Sequence, residues 1–452
     1  MQQQATFFQR IPIAGGDYYT MYLSDVFIFE SISAYFAVNL HTFEIKKIDK
    51  GKNISRTEHE TSILNEFSIT TPYQRRLKPQ NINPDLLEPT IVLGYKCNYS
   101  CDYCYQKDQR KNQTDVMNSK DIAAILSFYE KYCQLYSLEE EYGDIGVIGG
   151  EPLLPQNEDV INAIGDTWKN SRLIITTNGT YIDYFSSFFR KYNTKVRVSL
   201  DGTKSAHYLR RKTQSEDAYE RSIEGIKLLL NLGIEVVIIS VFSKDLLRDA
   251  SEFFNMLEEQ LGWRRNPLIS LAFIPEFGVG CDDIPIERIV DNLKNFHKLV
   301  NTDARALEVD SRKLFPGSIT LKESIELARQ GYYAPYRCSA LYSSNFAFIP
   351  NGTVHTCLSA VNSSEQCIGR FKPEPYVNTE FVSSIRNRRV ENFTQCQDCA
   401  LRSMCRGGCL ATVYKYTGTY SKPYCGFWNK FASMDYNSRN GRDSVEENTI
   451  HR

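Results

Sequence analysis

The 452-residue chain has no run approaching the ~20 consecutive apolar residues that span a bilayer, so no membrane span or membrane partner is expected. It begins Met1-Gln2-Gln3-Gln4 and lacks the basic-then-apolar order of a signal peptide, so a cytoplasmic location is expected. Neither charge sign dominates: 53 Lys and Arg stand against 54 Asp and Glu, a net charge of -1. The broad basic surface that nucleic-acid binding uses is therefore missing. Short basic runs at Arg75-Arg76 and at Arg386, Arg388 and Arg389 read as solvated faces. Internal repeats and low-complexity tracts are absent, and a 42% hydrophobic, 24% charged composition is that of a globular protein.

What the chain does have is 13 cysteines. In a reducing compartment structural disulfides are rare, so the cysteines point to metal or cluster ligation. Three stand at 97, 101 and 104, and eight fall between 338 and 425. Cys133 and Cys281 are isolated in sequence, and Cys133 reads as a small buried residue on a helix.

Two or three structural units are expected at this length. Short strands are predicted at 18–23, 26–29, 35–38 and 43–48, then a helix at 57–67, giving an N-terminal β-rich unit over 1–88. From residue 90 strands and helices alternate: strands at 90–93, 145–148, 173–177, 196–199, 236–242 and 268–274, helices at 120–138, 157–169, 182–192, 219–232 and 250–261. That pattern predicts an α/β fold, a partial six-stranded TIM-like barrel over 89–300, with ligands at the C-terminal strand ends. A further helix at 288–300, a connector at 301–337 and a loop-rich, cysteine-bearing domain at 338–452 complete the expected organisation.

The chemistry follows the strands as that rule demands. Leu93-Gly94-Tyr95-Lys96-Cys97-Asn98-Tyr99-Ser100-Cys101-Asp102-Tyr103-Cys104 comes directly after the first. Three thiolates in one loop hold three irons of a [4Fe–4S] cubane and leave the fourth open. A structural zinc would want a fourth ligand, and His41, His59 and His207 are remote in sequence. Gly149-Gly150-Glu151-Pro152 follows the second strand, Thr176-Thr177-Asn178-Gly179 ends the third, and Ser199-Leu200-Asp201-Gly202 ends the fourth. Glycines admit close backbone approach, and a carboxylate favours an ammonium.

Cys-x3-Cys-x2-Cys, with Tyr103 before the last Cys, resembles the radical S-adenosylmethionine (radical SAM) signature, and the later segments resemble that superfamily's cofactor-binding turns. The resemblance implies that Cys97, Cys101 and Cys104 ligate a cluster whose open iron chelates S-adenosylmethionine. Reductive cleavage then gives a 5′-deoxyadenosyl radical, the cofactor's chemistry, which the protein orients. By the same resemblance Tyr103 packs near the adenine, and Gly149, Gly150 and Glu151 meet the methionine amino group. Asn178 and Ser199 contribute further contacts. His207-Tyr208-Leu209-Arg210 resembles a His-Asp-x-x-Arg segment whose arginine takes the carboxylate, with Tyr208 in place of the usual Asp and Arg211 a competing neighbour.

The later cysteines (Cys338, then Gly352-x4-Cys357, then Cys396-x2-Cys399-x5-Cys405-x3-Cys409, then Cys425) resemble the SPASM domain, which carries two auxiliary [4Fe–4S] clusters, three in all with the first. Its interleaved arrangement gives Cys396, Cys399, Cys405 and Cys425 to the outer cluster and Cys338, Cys357 and Cys409 to the inner. Either the inner cluster keeps an open iron or Cys367 closes it. Zinc-ribbon sites are the alternative for this region.

Relatives of this architecture mature ribosomally made peptides by thioether, carbon–carbon or ether crosslinks, or convert sulfatase residues to formylglycine. In the sulfatase branch an Asp follows the Gly-x4-Cys cysteine; here Leu358 does, which counts against that branch. A precursor peptide with a leader sequence, bound by strand addition to the N-terminal unit or past a simple β cap, is the implied partner. An electron donor such as flavodoxin or ferredoxin is the other. A small-molecule substrate, an iron–sulfur electron carrier and a zinc scaffold are the remaining alternatives. Glu276, after the sixth strand, is a catalytic candidate by location alone.

Overall fold

The computed structural model describes residues 9–13, 16–23, 26–30, 34–39 and 45–49 as backbone, and residues 78–79, 86–213, 215–241, 243–274, 332–334, 336, 344–361, 363–396 and 406–424. The five N-terminal strands, Gln9–Ile13, Gly16–Leu23, Val26–Glu30, Ala34–Asn39 and Ile45–Asp49, pair antiparallel in chain order. Four match the sequence expectation. The fifth, Gln9–Ile13, carries Pro12 and sits at the edge of the sheet, where proline is usually confined within sheets. The helices expected at 57–67 and 288–300 lie outside the described residues.

Six parallel strands form the main body: Thr90–Val92, Ile145–Ile148, Leu173–Thr177, Thr194–Ser199, Glu235–Val241 and Ile269–Ile274. Each pairs with the next in sequence, as in a barrel wound one way without a switch point. Alternation explains the packing. Leu173, Ile175, Val196 and Val198 face the helices in the large core, whereas Val237, Ile239 and Ala272 form a separate apolar group on the concave face.

The crossover helices have ordinary causes. Ser119–Tyr136 starts at an Asn118–Asp121 capping box and stops at Ser137, which takes a left-handed φ of 52°. It buries Ile122, Ile125, Phe128, Tyr129, Tyr132 and Cys133 at helical spacing. Helices Ala218–Asn231 and Ala250–Leu261 cover strands four to six.

The C-terminal region departs from a purely loop-rich expectation. Ala347–Phe348 pairs parallel with the first barrel strand, and Thr353–His355, Cys367–Arg370 and Tyr376–Val377 extend the same sheet antiparallel, ten strands in all. Phe346, Phe348, Val354, Ile368 and Phe371 belong to the barrel's core, so cysteines do not replace an apolar core there. Tyr129 stacks on Phe346 and donates to the Ser344 carbonyl at 3.0 Å. No helix among the described residues is long and apolar enough to cross a membrane.

Candidate radical SAM site

The loop after the first strand is held from three sides. Gly150 N–H donates to the Gly94 carbonyl at 2.9 Å and Glu151 N–H to the Lys96 carbonyl at 2.8 Å. A Cβ on Gly150 would stand 2.2 Å from the Lys96 carbonyl oxygen, and one on Gly149 2.7 Å from that of Gly94. The glycine pair is thus required by backbone contact. On the second side, Tyr99–Cys101 pairs antiparallel with Arg211–Thr213, and Asp102 N–H donates to the Arg210 carbonyl at 3.0 Å. On the third, Asn178 Nδ2 donates to Asn98 Oδ1 at 2.7 Å and lies 3.9 Å from Cys97 Sγ.

Glu151 is 2% exposed. Its Oε1 accepts from Thr177 Oγ1 at 2.6 Å and Leu153 N at 2.9 Å, and its Oε2 from Asn178 N at 2.7 Å. Burial lifts the carboxyl to about 7, against the pull of those three donors. The side chain ties the second strand's loop to the third, a duty its motif did not reveal. Gly179 takes a φ of 89°, and Ser222 Oγ, from the helix behind, donates to the Asn178 carbonyl at 2.8 Å.

The two adjacent arginines separate. Arg211 is 7% exposed; its Nε lies 3.2 Å from Asp201 Oδ2 and donates to Tyr103 Oη at 2.7 Å, and its NH1 donates to the Ser199 carbonyl at 2.9 Å. Arg210 is only half-buried, stacks 4.4 Å above the Tyr103 ring, and donates to the Val241 carbonyl at 3.3 Å. Of the two, Arg210 is thus the more exposed. Tyr103 donates its hydroxyl to Asp201. His207 is fully buried, accepts from Asp201 N–H at 3.3 Å, and is held neutral by burial and then by Arg211.

Burial raises the Cys97 thiol to about 12, reinforced by the charge of Glu151, and also raises Cys101. Among the described residues no three His, Cys, Asp or Glu side chains gather round a point that one metal ion could occupy. Cys97, Cys101 and Cys104 come from one short loop and supply one thiolate for each of three irons, a donor set that fits a [4Fe–4S] cubane. A cavity of about 480 Å³ opens beside Lys96, Cys97, Asn98, Arg110 and Asp115.

In the C-terminal region Cys357 precedes a short 3-10 turn at Leu358–Ala360, and Leu358 packs on the cluster of Val92, Tyr95, Ala347 and Ile349. Cys367 faces His355 across the strands and donates to the Gly369 carbonyl at 3.2 Å. Cys396 is buried beside Val390 and Phe393, and Cys409 opens helix Leu410–Thr417. Arg388 overturns the solvated-face reading of its basic run. It is 1% exposed and donates to the carbonyls of Gly407 at 3.0 Å, Lys422 at 3.0 Å and Tyr420. It so gathers the segment just before Cys409 to the one that carries Tyr420 and Lys422. Cys281, Cys338, Cys399, Cys405, Cys425 and Glu276 lie outside the described residues.

Residues 91–257 match the Radical SAM superfamily model, and the chain carries a radical SAM domain. Its relatives narrow the comparison. It is 23% identical over 370 residues to the radical SAM cyclopropyl synthase TigE of Paramaledivibacter caminithermalis, covering 76% of this chain and 72% of that one. It is 24% identical over 366 residues to the serine-type anaerobic sulfatase-maturating enzyme of Klebsiella aerogenes, covering 75% and 83%. Among solved structures, anSMEcpe with bound AdoMet superposes with a TM-score of 0.54 at 17% identity, covering 77% of this chain and 95% of that chain. Streptococcus suis SuiB bound to its precursor peptide SuiA gives 0.51 at 16%, covering 90% and 99%. These structures share the fold.

Proposed function

We propose that the chain is a radical SAM enzyme that modifies a ribosomally made peptide, with Cys97, Cys101 and Cys104 holding the primary [4Fe–4S] cluster. When bound, the cluster and S-adenosylmethionine supply a one-electron cleavage whose deoxyadenosyl radical takes hydrogen from the substrate. The observation that carries this reading is the convergence of four loops at the C-terminal ends of four neighbouring parallel strands. Gly149 and Gly150 bring the second loop against the cysteine loop, Asn178 reaches the same loop from the third strand, and Arg210 would supply a guanidinium for the methionine carboxylate. Arg211 does not compete, because Asp201 engages it.

A peptide substrate is supported by SuiB, seen bound to its precursor peptide SuiA, and by a relative named for maturing a sulfatase; a new bond or related oxidation as the product is supported by TigE, named as a cyclopropyl synthase. Formylglycine formation is the second reading. Against it stands Leu358, which turns an apolar side chain into the Tyr95 cluster where a base would be needed. Two auxiliary clusters on the SPASM-like cysteines, a leader-binding role for the N-terminal sheet, and a flavodoxin or ferredoxin donor complete the proposal. Limits of 1–88, 89–300, 301–337 and 338–452 go with it, the last a region that shares the barrel's sheet and core rather than a detached domain.

The test is anaerobic reconstitution of the full chain, with iron counted and deoxyadenosine assayed after adding reductant and S-adenosylmethionine. About twelve irons per chain and reductant-dependent deoxyadenosine are expected, and the Cys97, Cys101 and Cys104→Ala triple variant should lose about four irons and all cleavage. Zinc without deoxyadenosine would refute the reading.

A further inference from the structure

We infer that Arg211 and Asp201 form a fixed, buried charge pair that sets how readily the cluster on Cys97, Cys101 and Cys104 accepts an electron. The inference rests on the radical SAM reading above.

Arg211 stands directly opposite Cys101 in the antiparallel ribbon that joins Tyr99–Cys101 to Arg211–Thr213. Opposed residues of such a pair leave the ribbon on the same face, with their Cβ atoms about 5 Å apart. The guanidinium therefore starts beside a cluster ligand. Its far end is fixed by Asp201, which is 1% exposed and accepts from Val241 N–H at 2.9 Å, and by the Ser199 carbonyl. Tyr103, set between Cys101 and Cys104, accepts from Arg211 and donates to Asp201, so the cluster loop is hydrogen-bonded to both members of the pair.

A buried ion pair is a weak way to stabilise a fold, because desolvating two charges offsets most of their attraction. Its presence beside a redox-active group has an electrostatic consequence, since charges in a low-dielectric interior are felt over longer distances than in water. Arg211 lies directly opposite the ligand Cys101, whereas Asp201 meets the cluster loop through the Tyr103 hydroxyl, so each charge acts on the cluster from its own side. An extra electron on the cluster is favoured by Arg211 and opposed by Asp201. Both are positioning residues here, acting through Tyr103 and the ribbon.

Opposite variants should therefore move the cluster in opposite directions. Arg211→Gln leaves Asp201 unbalanced and should lower the reduction equilibrium constant about tenfold, ~59 mV for a one-electron couple. Asp201→Asn leaves Arg211 unbalanced and should raise it by a similar factor. Arg211→Lys keeps the charge and should stay within about threefold of the parent. The measurement is an EPR-monitored potentiometric titration of the reconstituted full chain without S-adenosylmethionine. The signal to follow is the one that the Cys97, Cys101 and Cys104→Ala triple variant lacks. Shifts of the same sign, or no shift in Asp201→Asn, would overturn the inference and leave the pair a structural tie. Should Arg211→Gln fail to hold the cluster, Asp201→Asn and Arg211→Lys still decide it. A parent protein without that EPR signal would instead count against the radical SAM reading itself.

Discussion

Replacing Gly150 by Ala adds one methyl group where the structure leaves no room for it. The new Cβ would meet the Lys96 carbonyl oxygen at 2.2 Å and the Tyr95 carbonyl oxygen at 2.5 Å. An ordinary contact begins near 3.4 Å, so the two loops must part by about 1 Å. That movement cannot be absorbed by a rotamer, because both obstacles are backbone. It would also stretch the two bonds that register the loops, Gly150 N–H to Gly94 and Glu151 N–H to Lys96. Overpacking typically costs 1–3 kcal/mol and more when backbone must shift, so about 3 kcal/mol is expected. At roughly 2–4 °C per kcal/mol, thermal unfolding should fall by ~6–12 °C. Displacing Cys97 should also lower the iron held by the first cluster. Gly233→Ala is the control: its φ is +75°, but no atom lies within 4 Å of the added Cβ, so only the left-handed backbone cost of about 1–2 kcal/mol applies. If Gly150→Ala matched Gly233→Ala in melting temperature and kept full iron, the steric argument would fail.

Glu151 predicts a pH dependence. Its carboxyl is raised from 4.5 to about 7, so over that window the native chain keeps a proton that the unfolded chain has released, and stability falls as pH rises. Between pH 5 and pH 7 the loss is about 2 kcal/mol, and urea unfolding of Glu151→Gln against the parent at those two pH values should show it missing from the variant. Leu358→Asp should destabilise by about 1–3 kcal/mol, because a charge would be set against Val92, Tyr95 and Ile349, and thermal melting checks this. A gain in formylglycine-forming activity without loss of stability would contradict the reading of that position.

The six barrel strands were legible because alternating or continuous apolar runs punctuated by helices leave one reading, and the observed limits differ from the expected ones by no more than two residues. The site was legible because each motif directly follows a strand. What stayed hidden depends on contacts distant in sequence. The Tyr99–Cys101 and Arg211–Thr213 ribbon has three-residue strands, too short to carry a period. The burial of Arg388 could not be read from a run of cations, which solvent usually covers. Its cause lies in the Gly407, Tyr420 and Lys422 carbonyls, 19 to 34 residues further on. The Thr90–Asn345 contact spans 255 residues, so no local pattern could join the C-terminal hairpins to the first strand.

That junction leads to a further prediction. Were the C-terminal region a separate domain on a linker, a chain ending at residue 336 would keep an intact barrel. The structure argues otherwise. The strand Thr90–Val92, which feeds the cysteine loop, pairs on one side with Ala347–Phe348, and Thr90 N–H donates to the Phe346 carbonyl at 2.8 Å. Truncation would turn this strand into an unprotected edge. It would also uncover Phe128, Tyr129 and Tyr132, which pack against Phe346 and Phe348. If each ring loses about half of its ~200 Å² of cover, roughly 300 Å² of apolar surface returns to water, about 7 kcal/mol at 25 cal/mol per Å². That is comparable with the whole stability of a typical domain, about 5–15 kcal/mol. The truncated chain should therefore be insoluble or unfolded by circular dichroism and should hold no cluster. A soluble monomer melting with the full chain, and loading four irons, would show that the barrel closes without its C-terminal partner. In that case the shared sheet would not be what holds the cysteine loop in place.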